Sequence, residues 1–266
     1  MESGLTIRRN QVFRKRDGRA VIIAIDHGGI AGPMPGIEKP AKLIKACVRA
    51  GVDGILTTKG FVDASRSEWD RGTGLVLRVT GGFTVLGGGF EEEIIVQPET
   101  AAAYGASYAA VTIKFGHKRE GEFIKQASLY IDECHKLGIP VMVEAMGQGS
   151  LGGKELAKND PEGTKMAARM AAEIGADMVK TNYTGSPEHF AKVVEGCPVP
   201  IVILGGEKDP IEHVFQVIHD SIMAGGKGIA MGRNIWGYPK LAEMLDAVNG
   251  LVHKNWPVEK ALELLN

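Results

Sequence analysis

Short runs of apolar, β-branched-rich positions alternate along the chain with longer stretches in which apolar residues recur every three or four positions. The short runs predict strands over 21–26, 54–58, 75–79, 108–114, 141–144, 178–181, 201–204 and 228–231. The longer stretches predict helices over 39–50, 98–104, 119–137, 160–174, 187–195, 210–224 and from 239 onward, with an extra terminal helix over 257–265. The stretch 65–73 is less clearly helical. Punctuation agrees with the periodicity. Gly138, Gly175 and Gly225 each follow an apolar helical run, where a left-handed residue ends a helix. Asp160-Pro161 and Ser186-Pro187 place a capping side chain before a proline suited to the first helical turn. The glycine-rich stretch 80–93 breaks the alternation and reads as a loop.

Strand–helix alternation predicts a parallel sheet, and eight units suit closure into a (β/α)8 TIM barrel, an α/β fold. A doubly wound dinucleotide-binding sheet wants Gly-x-Gly-x-x-Gly after its first strand. Here that strand ends in Asp26-His27-Gly28-Gly29-Ile30, which has the wrong spacing. No low-complexity tract or polar linker interrupts the pattern. Residues 1–266 are therefore expected to form one barrel domain with a short N-terminal extension and an extra C-terminal helix.

A length of 266 residues matches the roughly 250 typical of such a barrel. Thirty-one Lys and Arg against 32 Asp and Glu leave a net charge of −1, without the basic excess that nucleic-acid binding draws on. Three cysteines with no Cys-x-x-Cys pair suggest neither a disulfide framework nor a thiolate metal site. The N-terminus lacks the apolar core of a signal peptide, and no apolar run approaches the ~20 residues of a membrane span. The expectation is a reduced cytoplasmic protein with no membrane or nucleic-acid partner.

Barrel enzymes carry their active groups at the C-terminal strand ends and in the loops that follow. That rule selects Asp26 and His27 after the first strand, Lys59 after the second, Lys114 on the fourth and Glu144 on the fifth. It also selects Lys180 and Tyr183 from the sixth, Gly205-Gly206 after the seventh and Gly232-Arg233 after the eighth. The last two turns occupy the places where barrels bind phosphate. Their glycines leave backbone N–H groups uncovered, and Arg233 adds a two-donor fork. Residues 234–237 are placed to form the accompanying short helix.

Two readings of Lys180 stay open on pattern alone. An amine held in a barrel mouth is stripped of water, which favours its neutral, nucleophilic form. A strand-end lysine can equally reach solvent or pair with a carboxylate, and Lys59 and Lys114 satisfy the same pattern. Asp26 reads as a proton carrier or as a loop cap. His27, its neighbour on a pleated strand, should face the other way and serve as support. Tyr183 reads as a proton donor or as a satisfied core hydroxyl. The seven histidines form no pair at a strand end of the kind a metal-dependent aldolase uses.

At these residues the chain resembles the archaeal-type class I fructose-bisphosphate aldolase superfamily, which includes the 2-amino-3,7-dideoxyheptulosonate synthases and the autoinducer-2 phosphate thiolase. The resemblance is carried by Asp26-His27-Gly28 with Gly32-Pro33 and Gly36, by Lys180-Thr181-Asn182-Tyr183-Thr184-Gly185, by the 197–206 strand ending in Gly205-Gly206, and by Met231-Gly232-Arg233-Asn234-Ile235. It implies a lyase that forms a Schiff base at Lys180 with no metal or cofactor, with Asp26 as acid/base. The implied phosphate site is Gly205, Gly206, Gly232 and Arg233. The implied substrate is a phosphorylated ketose or dihydroxyacetone phosphate, and the implied assembly is a homo-oligomer, often a decamer.

One departure stands out. Aldolases of this group usually carry a tyrosine after strand five in a Tyr-Pro-Arg-Gly-like loop, whereas this chain reads Glu144-Ala145-Met146-Gly147-Gln148-Gly149. Proton transfer would then fall to Glu144, Tyr183, Asp26 or a water. The same departure keeps open a thiolase-like transfer of an acetyl group from 3-hydroxy-5-phosphonooxypentane-2,4-dione to coenzyme A. A phosphosugar-binding barrel without catalysis is the alternative from another class.

Overall fold

Eight parallel strands close on themselves in a computed structural model that describes residues 2–87, 89 and 91–266. They are β1 (Ala20–Ala24), β2 (Gly54–Thr57), β3 (Gly74–Arg78), β4 (Tyr108–Phe115), β5 (Val141–Gly147), β6 (Met178–Thr181), β7 (Ile201–Leu204) and β8 (Gly228–Met231). Each pairs with its neighbours in chain order, and β8 returns to β1 through Ala20–Gly228 and Ile23–Met231. All eight expected strands are present, so the (β/α)8 barrel is the fold.

The two faces of the strands bury different things. Outward residues such as Val21, Ile23, Val143 and Val179 join a large apolar layer beneath the surrounding helices. Inward residues Ile22, Leu56, Val76, Tyr108, Met142, Met178 and Val202 fill the barrel axis. This period-two partition leaves both faces apolar, as a parallel sheet covered by helices requires.

The connecting helices follow the expected boundaries within a residue or two. Gly138, Gly175 and Gly225 all take positive φ at helix ends, the conformation in which a Cβ is penalised. The Asp160 side chain accepts from the Glu162 and Gly163 N–H groups, and Ser186 accepts from His189 N–H.

Three segments differ from the sequence expectation. The N-terminal extension is an 11-residue helix, Glu2–Val12, which closes the N-terminal end of the barrel. Its Arg8 donates to Ala106 O at 3.1 Å and Gly138 O at 3.0 Å, and Val12 and Phe13 enter the axial core. The link between β2 and β3 opens with a helix, Lys59–Ser65, and a 3-10 turn, Arg66–Glu68. The 80–93 stretch is framed by paired strands, Thr80–Gly81 against Glu93–Ile94; positions 88 and 90 lie outside the described residues. Among the described residues no helix is long and apolar enough to cross a membrane.

One buried polar link ties the penultimate helix, Leu241–Lys254, which the terminal helix Val258–Glu263 follows, to the start of the barrel. His253 Nδ1 lies 2.8 Å from Asp17 and Nε2 2.9 Å from Asp53, which also accepts the Val21 N–H at 2.6 Å. His253→Leu removes both of these hydrogen bonds, while Asp53 keeps Arg14 and the Val21 N–H as partners; it is expected to lower unfolding free energy by about 2 kcal/mol, read as a shifted urea midpoint at unchanged slope.

Candidate active site

Strand alternation builds the site. Two residues above the axial positions Val76, Ala110, Met142, Met178 and Ala230 stand Arg78, Thr112, Glu144, Lys180 and Gly232, the next inward layer at the C-terminal end. Register sets the neighbours. Glu144 is the Cα partner of both Thr112 on β4 and Lys180 on β6, so the three side chains meet in one layer.

Lys180 is only 5% exposed, and its Nζ lies 3.1 Å from Glu144 Oε2. The same oxygen sits 3.3 Å from Thr112 Oγ1 and 3.5 Å from Arg78 Nη1. Arg78 is buried. Its Nη1 donates to Asp26 Oδ2 at 2.7 Å, its Nε donates to Thr80 O at 3.1 Å, and its Nη2 donates to Glu92. Burial alone would raise the Asp26 carboxyl, but Arg78, then Lys180 and His27, reverse this and hold it below its ordinary value. Glu92 goes the other way. Burial pushes its carboxyl up despite Arg78, and its Oε2 is buried without a hydrogen-bond partner among the described residues.

Lys180 opens into a cavity of about 130 Å³. Glu144, Met146, His27 and Lys158 line one part of it, and Gly205, Gly206, Gly232 and Arg233 line the rest. The amine and the two glycine turns therefore share one chamber. Gly232 is sterically required there: a Cβ would lie 2.4 Å from Ala24 O and 2.9 Å from His27 Cε1. Gly206 takes φ +78, the left-handed region. Arg233 begins the short helix Arg233–Trp236; its Nη2 donates to Gly206 O at 2.7 Å, while its Nε is buried with no partner among the described residues. Asn234 locks the two turns together, donating to Glu207 O at 2.8 Å and accepting from Asp209 N–H at 3.0 Å. Arg233 Nε–H therefore remains to be satisfied at the edge of this chamber.

A second cavity, about 240 Å³, lies on the other side of Asp26 and Arg78 and is lined by Lys59, Thr58, Ile30 and Val96. Asp26 and Arg78 line this second cavity, while His27, next to Asp26, and Glu144, 3.5 Å from Arg78, line the Lys180 chamber. A larger cavity of about 470 Å³ lies away from this chemistry, between Gln11, Trp69 and Tyr104.

Not every expected residue comes to the chamber. His27 is a correction. Strand β1 ends at Ala24 and His27 adopts helical dihedrals, so the pleat does not continue and His27 lines the same chamber as Lys180. Burial, reinforced by Lys180 and Arg233, lowers its imidazole below the ordinary value against the pull of Asp26. Tyr183 is not among the lining residues. Its ring packs 5.4 Å from Phe190, its hydroxyl is buried without a partner among the described residues, and burial raises it to about 12. Lys59 belongs to the second cavity. Lys114 stands one inward step above Thr112, outside the chamber lining, with burial lowering its ammonium while Glu92 opposes. Arg78, Glu92 and Lys158 went unselected in the sequence. Arg78 had a signal, being a charge at the C-terminal end of the third apolar run.

Known proteins agree with this architecture. Residues 20–237 match the DeoC/LacD family aldolases. The chain belongs to that family. As a DeoC/LacD-family member it is 32% identical, over 99% of its length and 87% of the relative's, to a 3-hydroxy-5-phosphonooxypentane-2,4-dione thiolase of Photorhabdus laumondii. An archaeal fructose 1,6-bisphosphate aldolase structure superposes with TM-score 0.84 at 29% identity, covering 94% of this chain and 99% of that one. A Schiff-base-forming fructose-1,6-bisphosphate aldolase does so with TM-score 0.84 at 30% identity, covering 94% and 100%. The family assignment makes this DeoC/LacD barrel an enzyme of the aldolase type.

Proposed function

We propose that this protein is a class I aldolase of the fructose-bisphosphate type, cleaving or forming a C–C bond in a phosphorylated ketose through an imine at Lys180. One observation carries the reading: the buried Lys180 amine shares a 130 Å³ chamber with the Gly205-Gly206 and Gly232-Arg233 turns. A phosphate held at those turns delivers its own ketone to the amine, which turns a bimolecular condensation into a local one. Family membership and the likeness to Schiff-base-forming aldolases support the same chemistry.

The residues divide the work as follows. Lys180 Nζ adds to the ketone carbon, and Glu144, 3.1 Å away, takes the proton the nitrogen sheds. Returned to the oxygen, that proton completes the carbinolamine hydroxyl; a second proton, drawn from solvent through Glu144, lets the hydroxyl leave as water, and the cationic iminium becomes an electron sink. Asp26, held ionised by Arg78 and adjoining the chamber-lining His27, accepts the proton of the C4 hydroxyl as the C3–C4 bond breaks. The electron pair passes to the enamine, which is protonated and hydrolysed to dihydroxyacetone phosphate.

Borohydride reduction in the presence of dihydroxyacetone phosphate is expected to leave a stable adduct on the peptide containing Lys180, read by mass spectrometry. An adduct on Lys59 or Lys114 refutes the assignment. Tight phosphosugar binding with no adduct points to a non-catalytic barrel.

A second reading, thiolysis, is favoured by Met146. It lines the chamber where a hydroxyl-bearing acid is expected, and the Photorhabdus relative is named as a thiolase. Cleavage of 3-hydroxy-5-phosphonooxypentane-2,4-dione would release the same enamine, but its departing carbon is an acyl group captured by a thiol and needs no hydroxyl deprotonation. Product analysis with and without coenzyme A separates the two readings.

A further inference from the structure

The outer layer of helices thins beside β3. The link from β2 to β3 holds a helix of seven residues, Lys59–Ser65, and the link from β3 to β4 one of six, Pro98–Ala103. Every other link between barrel strands carries a helix of 10 to 17 residues. At ~1.5 Å per residue the two short helices run about 9–10 Å, against about 16 Å for the five-residue strand they cover. The cavity of about 470 Å³ opens at the N-terminal end of that strand. Buried Thr73 and Leu75 belong to its lining, with half-buried Trp69 and Tyr104 beside them.

Most polar atoms around this recess already engage one another. Trp69 Nε1 donates to Ser65 Oγ at 3.2 Å, the Tyr104 hydroxyl to Asp63 Oδ2 at 2.8 Å and the Ser107 hydroxyl to Gln11 Oε1 at 2.8 Å. The lining carboxylate, Asp70, accepts the Gly72 and Thr73 N–H groups, each at 3.0 Å. The surplus is of donors. Arg71 makes no hydrogen bond or ion pair among the described residues, and the Gln11 Nε2 group has no acceptor there. Arg66 reaches only Asp63, at 3.2 Å and 3.4 Å. Two guanidiniums thus stand beside two aromatic rings, and the lining holds a single carboxylate that is already accepting from its own loop.

We propose that this recess binds a nucleoside monophosphate, with the base against Trp69 and Tyr104 and the phosphate on Arg71 and Arg66. The volume falls in the range of roughly 300–1,000 Å³ that holds a small ligand. A heterocycle gains stacking energy on an aromatic face whatever its edge groups are, which suits rings whose own polar atoms are engaged. A phosphate supplies the acceptors that an unpaired guanidinium fork requires. The recess shares no lining residue with the Lys180 chamber, so the proposal stands apart from the Schiff-base reading.

Calorimetric titration of the full chain with AMP is expected to show a saturable site with Kd below about 1 mM. Ribose 5-phosphate, which lacks the base, and adenosine, which lacks the anion, are each expected to bind at least tenfold more weakly. Arg71 is exposed and its loss leaves no group unpaired, so Arg71→Gln should fold normally. It is expected to weaken AMP tenfold or more and to leave adenosine unchanged. Arg233→Ala distinguishes this recess from the barrel mouth and is expected to leave AMP affinity unaltered. AMP binding that survives Arg71→Gln but is lost in Arg233→Ala puts the nucleotide at the mouth and overturns the proposal. Ribose 5-phosphate binding as tightly as AMP, or no saturable binding of AMP, GMP or UMP, overturns it as well. A changed sedimentation coefficient in Arg71→Gln, with no nucleotide bound by wild type, would make the recess a contact between copies and equally refute it. None of these readouts depends on whether borohydride traps Lys180.

Discussion

Replacing Lys180 by methionine is expected to lower turnover about 10⁴-fold or more, with circular dichroism unchanged. Methionine has nearly the same length and suits a site only 5% exposed. Glu144 keeps Thr112 and Arg78 as partners, so the loss of the amine does not strand it. Lys180→Arg is the sharper control, since it supplies Glu144 with a cation but no nucleophile. Under the imine mechanism both variants fail alike, and neither gives a borohydride adduct. If Lys180→Arg retained activity within about tenfold of wild type, the residue would be a counter-ion for Glu144, and another group would have to carry the chemistry.

The second large effect is expected at Arg233. Its Nη2 is already bonded to Gly206 O, but its buried Nε has no partner among the described residues. A hydrogen bond between charged groups contributes about 1.5–3 kcal/mol. Arg233→Ala should accordingly reduce kcat/KM for a phosphorylated substrate about 100-fold, equivalent to about 2.7 kcal/mol. Most of that should appear in KM, because the phosphate stays bound throughout the reaction. A substrate analogue lacking that phosphate should react equally slowly with both proteins. Equal losses on both substrates would mean that Arg233 shapes the chamber instead of gripping the phosphate. Gly232 tolerates no such variation, since any side chain meets Ala24 O at 2.4 Å.

Much of the site could be read one strand at a time. Lys180 and Glu144 occupy the inward phase of their strands, two positions above Met178 and Met142, and the period of two places them without tertiary information. Gly205-Gly206 and Gly232-Arg233 were marked by position at strand ends seven and eight. Arg78 obeys the same rule, two residues above Val76, but lies within the run 75–79 that reads as an apolar strand. Glu92 and Lys158 carry no such mark. Each comes from an irregular connection whose path is set by contacts elsewhere in the chain, as in the donation of Asn182 Nδ2 to Lys158 O at 3.0 Å. His27 was assigned the wrong direction because β1 ends two residues before Asp26. The N-terminal helix escaped notice because it has no continuous apolar face. Ile7 is 61% exposed, and docking depends on Arg8 reaching two loop carbonyls and on Val12 and Phe13 at its end.

Local rules act through neighbours in the chain, and they were enough to specify the eight strands, the helix caps, the closed barrel and the mouth at which side chains could assemble. Hydrophobic period and turn chemistry are properties of a few consecutive residues. Which charges share an oxygen is a different matter. The meeting of Lys180, Thr112 and Arg78 at Glu144 Oε2, and the pairing of Arg78 with Asp26, depend on strand register and barrel closure. Those bring together residues as far apart as 27 and 233, and no pattern along the chain encodes an ångström-scale distance between them.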